Sequence, residues 1–357
     1  MGESDRRYPV SAFDYPLPED LIAQHPLPDR SASRLLVLHK SDGRIEHRSF
    51  RDFPSLIEPG DVVVVNASRV IPARLKGTRE NGREAEILLV HPEPDGSWLA
   101  MVHPGGKLKP GRKVRFGRDA VAEVVEVLGG GMRRIKFCGA IDVRALMERY
   151  GSVPLPPYIR RPPEEADRER YQTIFARVEG SVAAPTAGLH FTPETVSAIE
   201  DRGGKIVEIV LHIGPGTFKP VEVDDPSRHV MHAEWYEIPE AAAEEINRAK
   251  IEGSRIWAIG TTAVRTLETA AVEDNPAVGD RRAAGVRSGS GWTDLFIYPP
   301  YEFKVVDALL TNFHLPRSTL LMLVAAFGGY ERTMAAYREA VALRYRMYSY
   351  GDAMAIL

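Results

Sequence analysis

Histidine gains and loses a proton near neutral pH more readily than any other side chain. In this chain His190, His212, His232 and His314 stand beside polar or Gly-rich stretches. His190 closes a run of small residues, Glu179 to Thr192, whose few polar groups include Ser181 and Thr186. Small residues let backbone approach a ligand closely. Apolar walls with a few placed polar groups are the makeup of a ligand pocket. The same composition also suits a tightly packed crossing of loop and core. His212-Ile-Gly-Pro-Gly-Thr-Phe218 follows an apolar run, so the amides of Gly214 and Gly216 can face a ligand. Pro215 removes one donor. The stretch matches neither the dinucleotide fingerprint nor the phosphate loop, which leaves a plain Gly-Pro-Gly turn as the alternative. Gly260-Thr261-Thr262 opens a third candidate stretch. A helix starting there would turn free amides and its positive dipole end toward a carboxylate or phosphate. Arg265 and Glu268 follow three residues apart and can pair on one helix face. His190, His212, His314 and Glu268 are therefore the acid/base candidates. Ser181, Thr186, Gly214, Gly216, Thr261, Thr262 and Arg265 are the substrate-binding candidates.

Metal chemistry is not expected. His229 and His232 are spaced as a pair but lack a nearby third ligand. Cys138 is the single cysteine. It leaves no intrachain disulfide, no Cys-rich zinc site and no cysteine-held iron–sulfur cluster. It also fits a reducing cytoplasm.

These residues need elements to hold them. Leu17 to Gln24 reads as a short helix, and Leu35–His39 with Arg44–Phe50 as a hairpin through Ser41-Asp42-Gly43. The valines 62 to 65 read as a buried strand. From Ile71 to Gly139 the texture changes to six short strand-like runs: Ala73–Arg79, Glu84–His91, Trp98–His103, Lys113–Phe116, Ala120–Leu128 and Met132–Phe137. Gly-containing turns separate them, the pattern of a small barrel or sandwich. After Tyr150 strands and helices alternate. Thr192-Pro193 starts a helix that stops at Gly203-Gly204. Lys205–Leu211 is a strand, Glu240–Ile251 a helix and Arg255–Ile259 a strand. A helix runs from Gly260 to about Ala271, and Asp294–Tyr298 is a strand. Ser318 caps a helix over Thr319–Phe327, and a last amphipathic helix carries Met334, Tyr337, Val341 and Tyr345. Asn275–Gly291, rich in Gly, Arg and Ser, reads as a surface loop.

The expected fold is α/β: a mixed, largely parallel sheet with flanking helices, plus an inserted small all-β barrel. Residues 1–70 form the first part of the α/β domain, 71–139 the barrel and 140–357 the second part. Ligands of such sheets bind beyond the C-terminal strand ends. That rule would gather Asn66–Arg69, His212–Phe218, Gly260–Thr262 and Thr311–Arg317 at one rim.

The net charge of −3 hides an asymmetry. Between Ala67 and Tyr150, 16 Lys and Arg face 10 Asp and Glu, so this segment can attract a polyanion while the rest does not. Gly105 to Arg118 holds Lys107, Lys109, Arg112, Lys113, Arg115 and Arg118 without an acid, and Arg133, Arg134 and Lys136 follow. No run of 18 apolar residues is present for a membrane span, and the N-terminal residues lack the apolar stretch of a secretion signal.

Several stretches together resemble one family: Phe13 to Gln24, Glu179 to Thr192, His212 to Phe218, Gly260 to Glu268, Thr311 to Thr319 and Ser349 to Met354. In this order, and nearly end to end, the chain resembles the S-adenosylmethionine:tRNA ribosyltransferase-isomerases of queuosine biosynthesis. The resemblance implies transfer and isomerisation of the ribosyl part of S-adenosylmethionine onto 7-aminomethyl-7-deazaguanine at the tRNA wobble position. The products are epoxyqueuosine-tRNA, adenine and methionine. S-adenosylmethionine is then a consumed co-substrate, with no cofactor. The partner is a tRNA anticodon stem-loop, gripped by Lys107, Lys109, Arg112, Lys113, Arg115, Arg133 and Arg134. A cytoplasmic monomer without membrane contact is expected. Two departures stand out. Ala67 occupies a place where the family pattern suggests an acid, and Pro300 one where it suggests Gly.

Two other functions share parts of this pattern. A tRNA methyltransferase would use the same ligands but needs a Gly-rich loop after its first strand and an acid at the next strand end. Neither is clear in this sequence. A non-catalytic RNA-binding protein would account for the basic segment and leave the small-residue stretch and the Gly-Thr-Thr helix start without a task.

Overall fold

Val62, Val63, Val64 and Val65 lie at the centre of a nine-stranded sheet and are buried on both of its faces. The computed structural model describes residues 8–118, 120–218, 221–272 and 285–357. Across the sheet the strands are Gly289–Thr293, Glu234–Ile238, Lys205–Leu211, Val62–Asn66, Ile256–Ile259, Ala308–Asn312, Ala353–Ile356, Arg34–Leu38 and Ile45–Ser49. The four from Lys205–Leu211 to Ala308–Asn312 run parallel. Antiparallel pairs occur toward both edges, so the sheet is mixed. Alternation puts Val62 and Val64 into one core with Ile246, Val264 and Leu321 from the helices. Val63 and Val65 enter the opposite core with Phe50, Phe53, Phe191 and Ile199. Two covered faces explain why this strand is apolar throughout.

The inserted segment closes on itself. Arg74–Arg79, Glu84–Pro92, Trp98–His103, Met132–Phe137, Ala120–Val127 and Lys113–Phe116 pair antiparallel in that order. Thr78 opposite Arg115 completes a six-stranded barrel. Its core holds Leu75, Ile87, Ala100, Val114, Phe116 and Ile135, and Leu146 and Met147 of helix Val143–Tyr150 complete it. Gly151 and Ser152 then pair with Leu75 and Arg74. The barrel unit thus reaches past residue 139, because its apolar core needs that helix.

Other expectations shift. Between Leu17 and Gln24 only a single 3-10 turn, Glu19–Leu21, forms. The backbone there bonds instead to Met347, whose N–H donates to the Leu21 carbonyl and whose carbonyl accepts from Ala23. The strand expected at Asp294–Tyr298 lies earlier, at Gly289–Thr293, paired with Glu234–Ile238. Of the stretch read as a surface loop, residues 275–284 lie outside the described part. Gly285–Val286 pairs with Ala271–Val272, so the end of that stretch is strand. Helices Pro193–Asp201, Glu240–Glu252, Thr261–Thr269, Thr319–Gly328 and Tyr330–Ala342 stand close to where the sequence puts them.

Candidate active site

Strand Ile256–Ile259 ends at Gly260, and helix Thr261–Thr269 begins at once. The turn is tight because Gly260 takes φ +89°, a region open to glycine. Its N–H donates to the Leu310 carbonyl at 2.7 Å. No side chain caps the helix. The Thr262 hydroxyl is buried and has no hydrogen-bond partner. Uncapped amides and an idle hydroxyl at a helix N-terminus form a place for a carboxylate.

That helix start is one wall of an open cleft. The other walls are Ala183–Ala187, Ile213, Thr311–Leu315, Ser318, Tyr158, Tyr348 and Ser349. Five of the sequence stretches singled out as motifs therefore meet in the cleft. Three of them arrive at the C-terminal ends of parallel strands: Gly260 from Ile256–Ile259, Phe313 and His314 from Ala308–Asn312, Ile213 from Lys205–Leu211. Thr186, Thr261, Thr262 and His314 are the predicted residues in the lining. Among the described residues no Lys, Arg, Asp or Glu lines the cleft.

Tyr158, Thr311, Asn312, Tyr348 and Ser349 also line it, and no residue chemistry in the sequence singled them out. The Tyr158 and Ser349 hydroxyls are 2.7 Å apart. The Tyr158 and Tyr348 rings meet at 4.7 Å between centroids. Burial pushes both phenols well above the ordinary tyrosine range, so both stay protonated. Tyr348 takes φ +70°, a strained conformation for a bulky residue. The Thr311-Asn-Phe-His and Ser349-Tyr-Gly-Asp stretches were the available signal.

His314 bonds through Nε2 to the Thr311 hydroxyl at 2.8 Å. Burial lowers its pKa to about 3, so its ring is neutral at pH 7. His190 sits one layer back. Its Nε2 accepts from the Asn312 amide at 3.1 Å, and the Asn312 carbonyl oxygen accepts from the Thr186 hydroxyl at 2.7 Å. Asn312 donates to Nε2, so the neutral ring carries its proton on Nδ1 and donates to Ser33 Oγ at 3.0 Å. Burial, with smaller effects from the Arg346 and Arg30 charges, lowers its pKa to about 4, against a hydrogen bond from the ring to the Arg30 backbone carbonyl. His190 thus positions Asn312 and Thr186 without touching the cleft.

The other candidates hold structure. His212 lies outside the cleft lining, stacked on Trp235 at 5.2 Å, with Nδ1 buried and unpartnered. Burial, then the nearby His91, lowers its pKa to about 4. Glu268 does not pair with Arg265. It accepts from the N–H groups of Lys304, Val305 and Val306 and pins that turn. Arg265 pairs with buried Glu234 and donates to the Leu295 and Thr293 carbonyls. The other Glu234 oxygen accepts from Gly214 N–H at 2.8 Å, which consumes that amide. Ser181 Oγ accepts from Ile213 N–H and donates to the Ala183 carbonyl, so it clamps the two cleft loops together from behind. Gly216 packs against His232, where a Cβ would come within 2.7 Å of the ring.

On the barrel, Lys107, Lys109 and Arg115 are exposed. Lys107, Arg112 and Lys113 line an open hollow with Arg79. Arg112 lies 3.8 Å from Glu80 and Lys113 3.5 Å from Glu123, loose surface pairs. Arg133 and Arg134 are more engaged. Arg133 donates to the Leu108, Gly105 and Met132 carbonyls, and Arg134 pairs with Glu93 and Glu126. Among the described residues no group of three His, Cys, Asp or Glu is placed to hold a metal ion, and no helix is long and apolar enough to cross a membrane.

The profile of a family described as "Queuosine biosynthesis protein" matches residues 10–356. A protein of Symbiobacterium thermophilum named S-adenosylmethionine:tRNA ribosyltransferase-isomerase is 53% identical over 98% of this chain and 99% of its own length. One of the same name from Natranaerobius thermophilus is 50% identical over 97% and 99%. A crystal structure of the S-adenosylmethionine tRNA ribosyltransferase of Thermotoga maritima is 41% identical, covers 97% of this chain and all of that one, and superposes with a TM-score of 0.53.

Proposed function

The chain belongs to the queuosine biosynthesis protein family, and on that premise we propose that it consumes S-adenosylmethionine to build an epoxycyclopentane-type ribosyl group on tRNA. The ribosyl moiety goes to the aminomethyl nitrogen of 7-aminomethyl-7-deazaguanine at the wobble position, and adenine and methionine leave. The observation that carries this is the convergence of Ala183–Ala187, Gly260–Thr262, Thr311–Leu315 and Ser349 on one cleft.

The chemistry makes definite demands. The sulfonium acidifies the C5′ protons, and a base removes one. Adenine leaves with a hydrogen bond or proton on its nitrogen. The attacking amine must be neutral, and epoxide closure expels methionine. His314 is the candidate base that reaches the cleft: its imidazole is neutral at physiological pH, and bound substrate must raise its low basicity for it to take the proton. The methionine carboxylate fits the amides at Thr261 and Thr262, helped by the idle Thr262 hydroxyl. Arg265 and Glu268 hold the scaffold. A cleft without a charged side chain among the described residues suits an amine that must stay unprotonated. The exposed Lys107, Lys109, Arg112, Lys113 and Arg115 would meet tRNA phosphates, with the anticodon loop reaching the cleft.

Incubation with S-adenosylmethionine and an anticodon stem-loop carrying 7-aminomethyl-7-deazaguanine tests this. Free adenine and methionine should appear together. S-adenosylhomocysteine in their place would make the protein a methyltransferase.

A further inference from the structure

Ser349 belongs to two pockets. Besides the cleft it lines a narrower one formed by Pro26, Leu27, Arg30, Ser33, Arg170 and His190, among others. Two guanidinium groups line it, and the charge of a third acts on a residue of its wall. Arg30 and Arg170 are in the lining and lie close enough for each charge to be felt by the other. The Arg346 charge reaches the same His190 that Arg30 does.

None of the three has a carboxylate partner among the described residues. Instead their side chains are held in place by carbonyls. Arg30 donates to the Gln172, Leu189 and Glu169 carbonyls, Arg170 to Pro28 and Leu27, and Arg346 to His25. Carbonyls orient a guanidinium without neutralising it. The acids nearby are already taken: Asp29 by Arg51, Asp167 by Arg161 and Tyr350, Asp352 by Arg34. Arg30 feels exposed Glu169 only after burial and Arg170, and Arg346 feels Asp352, whose carboxylate is already paired with Arg34. Two donors, Arg170 Nε and Arg346 Nη1, are buried with no partner at all. An unsatisfied buried donor on a charged group costs more than one on a neutral group. Oriented guanidiniums without an ion-pair partner of their own, two of them with a spare donor, form an oxyanion site.

We propose that this pocket binds one backbone phosphate of the substrate RNA, next to the nucleotide being modified. This rests on the tRNA reading above. The position favours it: Ser349 is common to both pockets, and His190, in the phosphate pocket, is bonded through Asn312 to Thr186 in the cleft. A phosphate seated here would fix the register of the anticodon loop and hold the wobble base over the cleft. The methionine carboxylate already has the helix start as its place.

The test uses the full-length protein and a stem-loop carrying 7-aminomethyl-7-deazaguanine, with each anticodon-loop phosphate replaced in turn by a neutral methylphosphonate. One replacement should raise the wild-type KM for the stem-loop about tenfold, the effect expected on removing a charge-assisted hydrogen bond. Arg170→Gln and Arg346→Gln should raise it similarly, leave the KM for S-adenosylmethionine unchanged, and reduce the slope of log affinity against log salt by about 1. In those variants the sensitive methylphosphonate should cost nothing further. Additive effects, a raised KM for S-adenosylmethionine, or a wild type indifferent to every methylphosphonate would each overturn the proposal. The last measurement needs no variant to fold. If the wild type releases no adenine, the reaction assignment fails on its own, and stem-loop binding isotherms still decide the phosphate site.

Discussion

His314 and His190 show how burial divides two histidines of similar sequence context. Both are neutral at pH 7, but His314 faces the cleft and His190 supports it. Replacing His314 by Phe should lower kcat by at least 100-fold, the usual contribution of a positioned acid or base, with a smaller change in the KM for S-adenosylmethionine. Steady-state kinetics with adenine release as readout checks this. Thr262→Val should do the opposite and raise that KM with kcat nearly kept, because the hydroxyl is assigned to binding. Both histidines also bear on acid stability. Folded-state values of about 4 for His190 and about 3 for His314 lie below the unfolded value near 6.5. The unfolded chain therefore binds more protons in this window, and stability falls as pH drops from 6.5 toward 4. Each buried histidine contributes a slope on the order of 1.4 kcal/mol per pH unit. Urea melts from pH 7 to 4.5 should show this, and His190→Asn should flatten the slope.

At the scale of elements, the cleft depends on a strand that turns directly into a helix at Gly260. An ideal Cβ on Gly260 would meet the Ala187 Cβ at 3.5 Å and the Thr262 hydroxyl at 3.7 Å, ordinary contacts. The cost of Gly260→Ala is therefore backbone strain at φ +89°, about 1–2 kcal/mol. Relief of that strain would tilt the first helical turn. A lowered Tm accompanied by a raised KM for S-adenosylmethionine is expected, and thermal unfolding beside kinetics separates the two. The barrel has a parallel dependence. Leu146 and Met147 come from a helix after the last barrel strand, so the barrel is not a self-contained insertion of strands.

Over the whole molecule the division of charge becomes a division of labour. Among the described residues the cleft has no charged wall, whereas the barrel presents Lys107, Lys109, Arg112, Lys113 and Arg115 to solvent. Charge reversal at Lys107, Lys109 and Arg112 should raise the KM for tRNA and spare S-adenosylmethionine affinity. It should also make tRNA binding less sensitive to salt, by about 1 in the log–log slope for each phosphate no longer engaged. Titration of tRNA at two salt concentrations is sufficient. Unchanged tRNA binding would move the RNA surface off the barrel.

Periodicity and turn chemistry carry most of the architecture. Three of the barrel strands, Trp98–His103, Lys113–Phe116 and Met132–Phe137, coincide with their expected limits, because alternation inside a closed sheet leaves little choice of register. The helix starts at Thr192 and Ser318 are legible for the same local reason: each hydroxyl accepts from a backbone N–H three residues on. Ala308–Asn312 and Ala353–Ile356 were not legible. They are short, buried on both faces and without alternation, so only their neighbours make them strands. The residue chemistry was legible as a set of candidates and not as a set of roles. His190, Glu268 and Arg265 look equally suited to catalysis along the chain. Which carboxylate meets three backbone amides, which guanidinium meets Glu234 and which imidazole reaches the cleft are long-range pairings. The sequence determined the family, the two-part fold and the stretches that build the site; tertiary packing alone decided which of their polar groups were left free for a ligand, since a buried group acts on substrate only if no neighbour has already claimed it.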